Sequence, residues 1–313
     1  MPALVVEAKR RLSHPVEKVY ETLRDLRSWP QWSPWLVADP DAEVEIDDDT
    51  TSVGSAYRWR GEIVGEGSMQ HFSLDPPRRI DCDLDFVKPF RSHAEIHFEL
   101  GSAGENATDV TWRMNGRLPA MLFWMKSQMQ SLIRMDYERG LKRLDVFLEC
   151  GRIPADLDIE TRPITPDRVS IVGRSGHCRF EDIESDLGTV LEGVQSLVEQ
   201  AGIPHSSMMG TAYTRVDMKR GTFDYFTGVV ASENVDAGNE LSKLVVGGHP
   251  SATLRLTGGY RFLDDAWNAV YQNVRGRGWK VGKWPGFEIN RNDPATTSEH
   301  QLVTDVYVPL KRF

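Results

Sequence analysis

The chain has 313 residues, of which 40% are hydrophobic and 27% charged, a composition typical of globular proteins. This length predicts two domains of about 150 residues each. The formal net charge of -9, without a sustained basic stripe, argues against direct binding of nucleic acid.

The cysteines and the apolar runs indicate a cytoplasmic protein. Cys82, Cys150 and Cys178 are odd in number and far apart, so they match neither a disulfide framework nor a zinc site. The opening residues, MPALVVEAKRR, lack the apolar stretch of a signal peptide. The longest apolar run, 118–125, is far shorter than the roughly 20 residues of a membrane span. We therefore expect no membrane insertion, no metal site and no cofactor.

A short helix and a set of strands open the first domain. Ser13 and Pro15 mark the start of the helix. Its predicted inner stripe consists of Val16, Val19, Tyr20 and Leu23. From residue 56 to residue 115 apolar and polar residues alternate, which predicts antiparallel strands with one buried and one solvated face.

The clearest alternation lies between residues 93 and 100. The apolar face carries Ala94, Ile96, Phe98 and Leu100, and the polar face carries His93, Glu95, His97 and Glu99. Two histidines and two glutamates on one face resemble a metal cluster, but they lie opposite the apolar face. We interpret them as a solvated surface.

A long helix closes this domain. Between Phe123 and Leu148 apolar residues recur at spacings of three and four, which is helical. They are Met129, Ile133, Tyr137, Gly140, Leu144 and Phe147. A glycine in mid-helix costs about 1 kcal/mol relative to alanine. Gly140 therefore indicates either a close approach of helix and sheet or room for a ligand.

Five segments of this domain carry a family resemblance. They are SHPVEKVYETLRDLRSWPQWSPW, VGSAYRWRG, DPPRRI, TDVTWRMNG and DYERGLKRLDVFLE. In this order, over nearly all of residues 3–149, they resemble the polyketide-cyclase branch of the START-like superfamily (SRPBCC). The resemblance implies a helix-grip fold, in which a curved antiparallel sheet surrounds a long C-terminal helix, with a deep apolar cavity between them. It implies no particular reaction.

Aromatic and methionine side chains are more numerous here than a small core requires. They are Trp29, Trp32, Trp35, Tyr57, Trp59, Phe90, Trp112, Met121, Phe123, Trp124 and Met129. Methionine adapts to irregular ligands, and aromatic rings supply flat apolar walls. Core packing is the alternative for each residue taken singly. As a group they predict an apolar cavity, with candidate ligand contacts at Tyr57, Trp59, Trp112 and Met129.

Glycine and proline among polar residues mark 151–163 as a linker between domains 1–150 and 164–313. The second domain repeats one pattern about 80 residues apart. In each copy a strand precedes an Arg-Phe pair, a helix and two further strands, with Arg179 and Arg261 as equivalent positions. We predict a duplicated β-α-β-β domain whose paired strands are 208–216 with 223–231 and 286–291 with 302–310.

Four segments of the second domain carry another resemblance. They are FDYFTGVV, HPSATLRLTGGYRFLDDAWNAVY, GFEINRNDP and TDVYVPLK. Over roughly residues 160–311 they resemble the gyrase-inhibitor-like domain, which is also the effector-binding domain of some bacterial transcription activators. The resemblance implies a pseudo-twofold cleft in which aromatic residues surround a carboxylate that receives cationic or amphipathic molecules.

Matched position by position, the resemblance assigns candidate site residues. Glu288 and Asp305 are the carboxylates. The candidate walls are Tyr225, Tyr260, Trp267, Trp284 and Tyr307. The chain departs from the family at Asp305, where glutamate is common, and at Asn290, where tyrosine is common.

No complete catalytic signature is present, since a Walker loop, a nucleophile elbow, a dinucleotide fingerprint and a His-Glu-x-x-His motif are all missing. We interpret the protein as a small-molecule sensor or carrier with an apolar ligand in the first domain and an amphipathic or cationic ligand in the second. Its other expected partner is a protein, as for a transcription-related effector sensor without its own DNA-binding domain. The alternative is a hydrolase or cyclase-like enzyme in which Glu288 acts with Tyr260 or Tyr225.

Overall fold

The computed structural model describes residues 3–117, 124–218 and 220–313. The chain divides into two units, Met1–Pro154 and Ala155–Phe313, each with its own large antiparallel sheet. It is therefore a two-domain α+β protein with few helices, consistent with a helix-grip-like fold. Within the described ranges, every helix is too short or too polar to cross a bilayer.

The described residues of the first unit form one sheet and three α-helices, apart from short 3-10 turns. Its strands are β1 (Ala3–Leu12), β2 (Glu43–Ile46), β3 (Ala56–Arg60), β4 (Glu66–Asp75), β5 (Arg79–Lys88), β6 (Ser92–Ser102) and β7 (Thr108–Arg117). Its helices are α1 (Val16–Arg24), α2 (Trp29–Trp32) and α3 (Lys126–Cys150). The strands pair antiparallel in the order β1-β7-β6-β5-β4-β3-β2. Strands β2 to β7 form a meander, which needs only short connections between neighbouring strands, whereas β1 pairs with β7, the last strand in sequence.

The periodicities seen in the sequence correspond to buried faces. The inner stripe predicted for α1, from Val16 to Leu23, is buried throughout. Along β6 the four apolar residues from Ala94 to Leu100 are buried as predicted.

The polar face of β6 differs from the prediction, because His97 is only 7% exposed. The register places Asp81 of β5 directly opposite, and its Oδ1 lies 2.7 Å from His97 Nδ1. Arg79 Nε in turn donates to the same carboxylate at 2.8 Å. Polar partners on the neighbouring strand therefore compensate for the burial of this histidine.

Helix α3 packs on the sheet through its second half. Tyr137, Leu141 and Leu144 are buried, whereas Met129 and Ile133 are only partly buried. A Cβ atom added at Gly140 would lie 2.7 Å from the ring of Trp112. Of the two explanations for this glycine, close approach of helix and sheet is thus the one observed.

The second unit is a nine-stranded sheet with two helices. Its strands are β8 (Ala155–Ile159), β9 (Val169–Arg179), β10 (His205–Asp217), β11 (Thr222–Ala231), β12 (Ser242–Val246), β13 (Ser251–Gly258), β14 (Lys280–Val281), β15 (Gly286–Asn290) and β16 (Val303–Arg312). Its helices are α4 (Ile183–Gln200) and α5 (Leu263–Gly276). The order is β12-β9-β11-β10-β15-β16-β13-β8, with β14 paired to β16.

Strand β8 corrects the predicted linker. Residues 155–159 were expected to connect the domains, but they pair antiparallel with β13. Ala155, Leu157 and Ile159 alternate with exposed residues and are partly buried. A five-residue alternation is short enough to be hidden among the neighbouring prolines and charges.

Both helices cover one face of this sheet. Helix α4 packs on β9 and β11, and α5 packs on β13 and β16. Strands β10 and β15 lie between these pairs, at the centre of the sheet. The opposite face carries a separate apolar cluster that includes Ile171, Phe226, Phe287 and Ile289. A side chain on β10 or β15 therefore points either toward the helices or into this second cluster.

Candidate functional site

The candidate site is built around Glu288 on the central strand β15. Its register partners are Thr211 of β10 and Val306 of β16, so the residue has a strand on each side. Alternation directs its side chain toward the helices, opposite to its neighbours Phe287 and Ile289. The side chain is 3% exposed. Glu288 is therefore a carboxylate enclosed in the helix side of the sheet.

Two aromatic side chains hold this carboxylate. Trp267 of α5 donates from Nε1 to Glu288 Oε2 at 2.6 Å. The hydroxyl of Tyr213 on β10 donates a second hydrogen bond. Burial raises the pKa of Glu288 to about 7, although both hydrogen bonds act in the opposite direction. At neutral pH the group is therefore poised between its charged and neutral forms.

Tyr213 was not among the residues predicted from the sequence. Its register partner on β11 is Tyr225, so the two tyrosines stand side by side on the helix face. Burial and the nearby Glu288 raise the pKa of Tyr213 well above its ordinary value. The sequence held one signal for it. Tyr213 lies on the predicted strand 208–216, on the same face as Thr211, which the structure pairs with Glu288.

The two predicted tyrosines take different positions. The hydroxyl of Tyr260 is buried and makes no hydrogen bond among the described residues. Burial and the charge of Glu288 raise the pKa of Tyr260 to about 12. Tyr225 instead donates to Asp186 of α4. Tyr260 therefore lies near Glu288, whereas Tyr225 contacts α4.

A continuous row of aromatic rings crosses this region, which we call the aromatic row. Its members, in order, are Phe180, Phe223, Tyr213, Trp267 and Tyr271. Successive ring centroids are 4.3, 5.3, 5.2 and 6.1 Å apart. All five side chains are partly exposed. The row thus connects solvent to the two residues that hydrogen-bond Glu288.

Asp305 and Tyr307 do not share this environment. Because Glu288 is paired with Val306, the residues on either side of Val306 point to the opposite face of the sheet. There Tyr307 stacks on Phe287 with centroids 4.7 Å apart. The single cleft with both carboxylates that the sequence analysis predicted is therefore wrong for Asp305 and Tyr307.

Asp305 also has protein partners for its charge. Arg255 donates from Nε and Nη2 at 2.7 and 2.9 Å, and Arg291 donates from Nε at 2.7 Å. Burial alone would raise the pKa of Asp305, but these hydrogen bonds outweigh it and hold the pKa below its ordinary value. Two guanidinium groups leave this carboxylate no role as a receptor for another cation.

Trp284 likewise differs from its predicted role as a wall of the cleft. Its ring stacks on His249, with centroids 3.6 Å apart. Lys283 Nζ lies 5.8 Å from the centroid of the same ring. This tryptophan contributes to packing before β15 begins.

In the first unit, Trp112 lies inside a cluster of aromatic rings. Tyr137 of α3 stacks on it at 4.0 Å, and Phe98 lies at 5.0 Å. Three tryptophans complete its surroundings at 5.7 to 5.9 Å, namely Trp29, Trp32 and Trp35. Trp112 is 1% exposed. It is therefore a core residue in a space filled by protein side chains, which corrects its assignment as a ligand contact.

The remaining candidates of the first unit lie nearer its edge. Tyr57 stacks on Trp59 with centroids 5.7 Å apart, and Trp59 meets Phe86 edge-on at the same distance. Trp59 and Met129 are partly buried against the core. The predicted cavity residues Met121 and Phe123 lie outside the described residues.

Each unit matches a different protein-family model. Residues 158–311 match the model described as a GyrI-like small molecule binding domain. Residues 12–148 match the model described as polyketide cyclase / dehydrase and lipid transport. Both predicted resemblances are confirmed.

Solved structures similar to part of this chain include the Zhui aromatase/cyclase from Streptomyces sp. R1128, with 16% identity and a TM-score of 0.39 over 47% of this chain and 94% of that chain. The Aha1 dimer from Colwellia psychrerythraea has 19% identity and a TM-score of 0.35 over 47% and 98%. CalU16 from Micromonospora echinospora has 19% identity and a TM-score of 0.34 over 48% and 78%. No curated protein matches the chain.

Proposed function

We propose that the second unit binds small amphipathic molecules with a cationic group, and that Glu288 receives the cation. The observation that carries this proposal is the enclosed carboxylate below the aromatic row, held by Trp267 and Tyr213. An ionised carboxylate in such a place is destabilised by burial, and a bound cation would offset that cost. Aromatic faces add about 0.5–2 kcal/mol each through cation–π attraction.

The order of elements supports a cleft at this position. Strands β9, β11 and β10 lie on one side of the sheet centre, and β13, β16 and β15 lie on the other in mirrored order. Helix α4 belongs to the first group by sequence and α5 to the second. We read them as two β-α-β-β halves that meet at the β10–β15 pair, where Thr211 is opposite Glu288. A ligand at this junction would lie between the helices of the two halves.

Access to Glu288 needs only local movement. Trp267 and Tyr213, which donate to the carboxylate, are both partly exposed. Rotation of either side chain would bring a ligand into contact with the carboxylate without displacing a strand. The donor that rotates away would leave an oxygen free for the cation.

For the first unit we propose an apolar ligand near the edge of the core, in keeping with its family description. Partly buried Trp59, Met129 and Ile133 pack against that core and supply apolar surface. Enclosed Trp112 would stabilise the fold there without contacting the ligand. Together the two units would form a sensor or carrier.

Benzyltrimethylammonium and its neutral isostere neopentylbenzene test the proposed cation site. Calorimetry should show that the full chain binds the cation more tightly than the isostere. Glu288→Gln should lower the affinity for the cation by about tenfold and leave the affinity for the isostere nearly unchanged, because the two compounds differ only in charge. Glu299→Gln, which removes an exposed carboxylate, serves as the matched control. Equal binding of both compounds, or equal effects of the two variants, would refute the proposal.

One observation favours a hydrolase as the second candidate. A carboxyl group with a pKa of about 7 and a tyrosine hydroxyl share one hydrogen bond, as a general acid-base pair would. If the site is catalytic, Glu288→Gln should lower turnover of p-nitrophenyl esters by about 10²–10⁴ while they still bind. Tyr213→Phe should lower it as well. Esterase activity that is unchanged in both variants would eliminate this candidate.

A further inference from the structure

A second carboxylate lies on the α4 side of the same face. Asp186 is in the first turn of α4 and is partly exposed. It accepts a hydrogen bond from the hydroxyl of Tyr225, whose side chain is 1% exposed. Gly176 makes room for this tyrosine, since a Cβ atom there would lie 2.2 Å from Tyr225 Cζ. The sheet thus orients Tyr225 toward α4, where it holds Asp186.

Tyr225 and Tyr213 connect the two carboxylates. They are direct register partners on β11 and β10, with both side chains on the helix face. Tyr213 donates to Glu288, and Tyr225 donates to Asp186. Phe223, two residues before Tyr225, belongs to the aromatic row and contacts Tyr213 at 5.3 Å. One aromatic surface therefore has a tyrosine-bound carboxylate on each side.

No described residue supplies a cation to either group. Within the described residues, neither Asp186 nor Glu288 forms an ion pair with lysine, arginine or histidine, whereas buried Asp305 has two arginines and buried Asp81 has Arg79 and His97. A ligand that brings two positive charges would neutralise both.

We propose that this site recognises molecules with two cationic groups joined by an apolar linker, with one cation at Glu288 and the other at Asp186. This inference rests on the proposed function, because Glu288 is the first of its two anchors. Glu288 is on β15, and the ring of Tyr225 that holds Asp186 lies over Gly176 of β9, three strand spacings away, so the two anchors are about 14 Å apart. The aromatic row supplies apolar contacts for the linker.

Decamethonium, two trimethylammonium groups on a ten-carbon chain, and the monocation decyltrimethylammonium form the test pair. Wild-type full-length chain should bind decamethonium roughly three- to tenfold more tightly in calorimetry, since the second ion pair is only partly exposed. Asp186→Asn should abolish this preference while affinity for the monocation stays the same. Its amide oxygen still accepts from Tyr225, so the fold is retained.

Glu184→Gln is the matched control, because it removes an exposed carboxylate from the same turn of α4. It should preserve the preference for decamethonium. Glu288→Gln should lower the affinity for both ions. A shorter ethane-linked bis(trimethylammonium) ion should lose the preference, because its charges cannot span both anchors.

The outcomes separate the two proposals. Suppose that binding of the monocation depends on Glu288. If the second charge then adds no affinity, or if Asp186→Asn and Glu184→Gln have equal effects, the dication inference is overturned and the cation site remains. If neither ion shows binding that depends on Glu288, both proposals fall.

Discussion

Replacement of Glu288 by glutamine should stabilise the second unit at alkaline pH and have little effect at acidic pH. The glutamine side chain has nearly the same shape, and its oxygen can still accept from Trp267. What it removes is the cost of ionising a carboxyl group that is 3% exposed. The effect on stability should therefore follow the titration of this one group.

The magnitude follows from the pKa of Glu288, which is about 7 in the folded state against an ordinary value of 4.5. Because the folded-state pKa is the higher one, the folded state holds the proton more tightly. The stabilisation from protonated Glu288 is complete below pH 4.5 and is lost as the pH rises through 7. The difference corresponds to about 3 kcal/mol. Glu288→Gln should thus raise the free energy of unfolding by about 3 kcal/mol at pH 8 and by less than about 1 kcal/mol at pH 5.

Urea denaturation at both pH values measures this difference, and hydrogen exchange of the β10 and β15 amides assigns it to the second unit. Glu299→Gln is the control, since its exposed carboxylate carries no cost of burial. A stabilisation that is equal at pH 5 and pH 8 would refute the reasoning. So would a variant that is less stable than the wild type at pH 8.

Three further predictions concern the packing at Gly140, the role of Asp305 and the pH dependence of ligand affinity. Gly140→Ala should destabilise the first unit by about 1–3 kcal/mol in urea because its Cβ would collide with Trp112, whereas Gly193→Ala, with nothing within 4 Å, should stabilise α4 by up to about 1 kcal/mol. A stabilising Gly140→Ala would contradict the observed packing. Asp305→Asn should cost about 1–3 kcal/mol of stability and leave benzyltrimethylammonium affinity unchanged, which calorimetry on the folded variant checks. The same affinity should rise about fivefold between pH 6 and pH 8 as Glu288 ionises, since the neutral side chain should bind the cation about tenfold more weakly, and a flat profile would contradict its role as the cation receptor.

Elements with a long and regular periodicity could be assigned from the sequence alone. The buried stripe of α1 and the alternation of β6 could be assigned because each residue's environment repeats every 3.6 or two positions. The two family resemblances were also present in the sequence alone, and they placed Glu288 in the candidate site. What they could not provide was the set of neighbours around that carboxylate.

Which residues contact one another depends on strand pairing and helix packing and could not be derived from the sequence. Glu288 and Asp305 looked equivalent in sequence, but the register that pairs Glu288 with Val306 turns Asp305 to the other face, onto two arginines. Tyr213 reaches Glu288 because β10 lies beside β15, although 75 positions separate the two residues in the chain. Trp112 is buried in the core because Gly140, which has no side chain, allows α3 to pack directly against its ring. Periodicity defines the faces of one strand or helix, whereas pairing register and helix docking, which arise from contacts distant in sequence, define what each face touches.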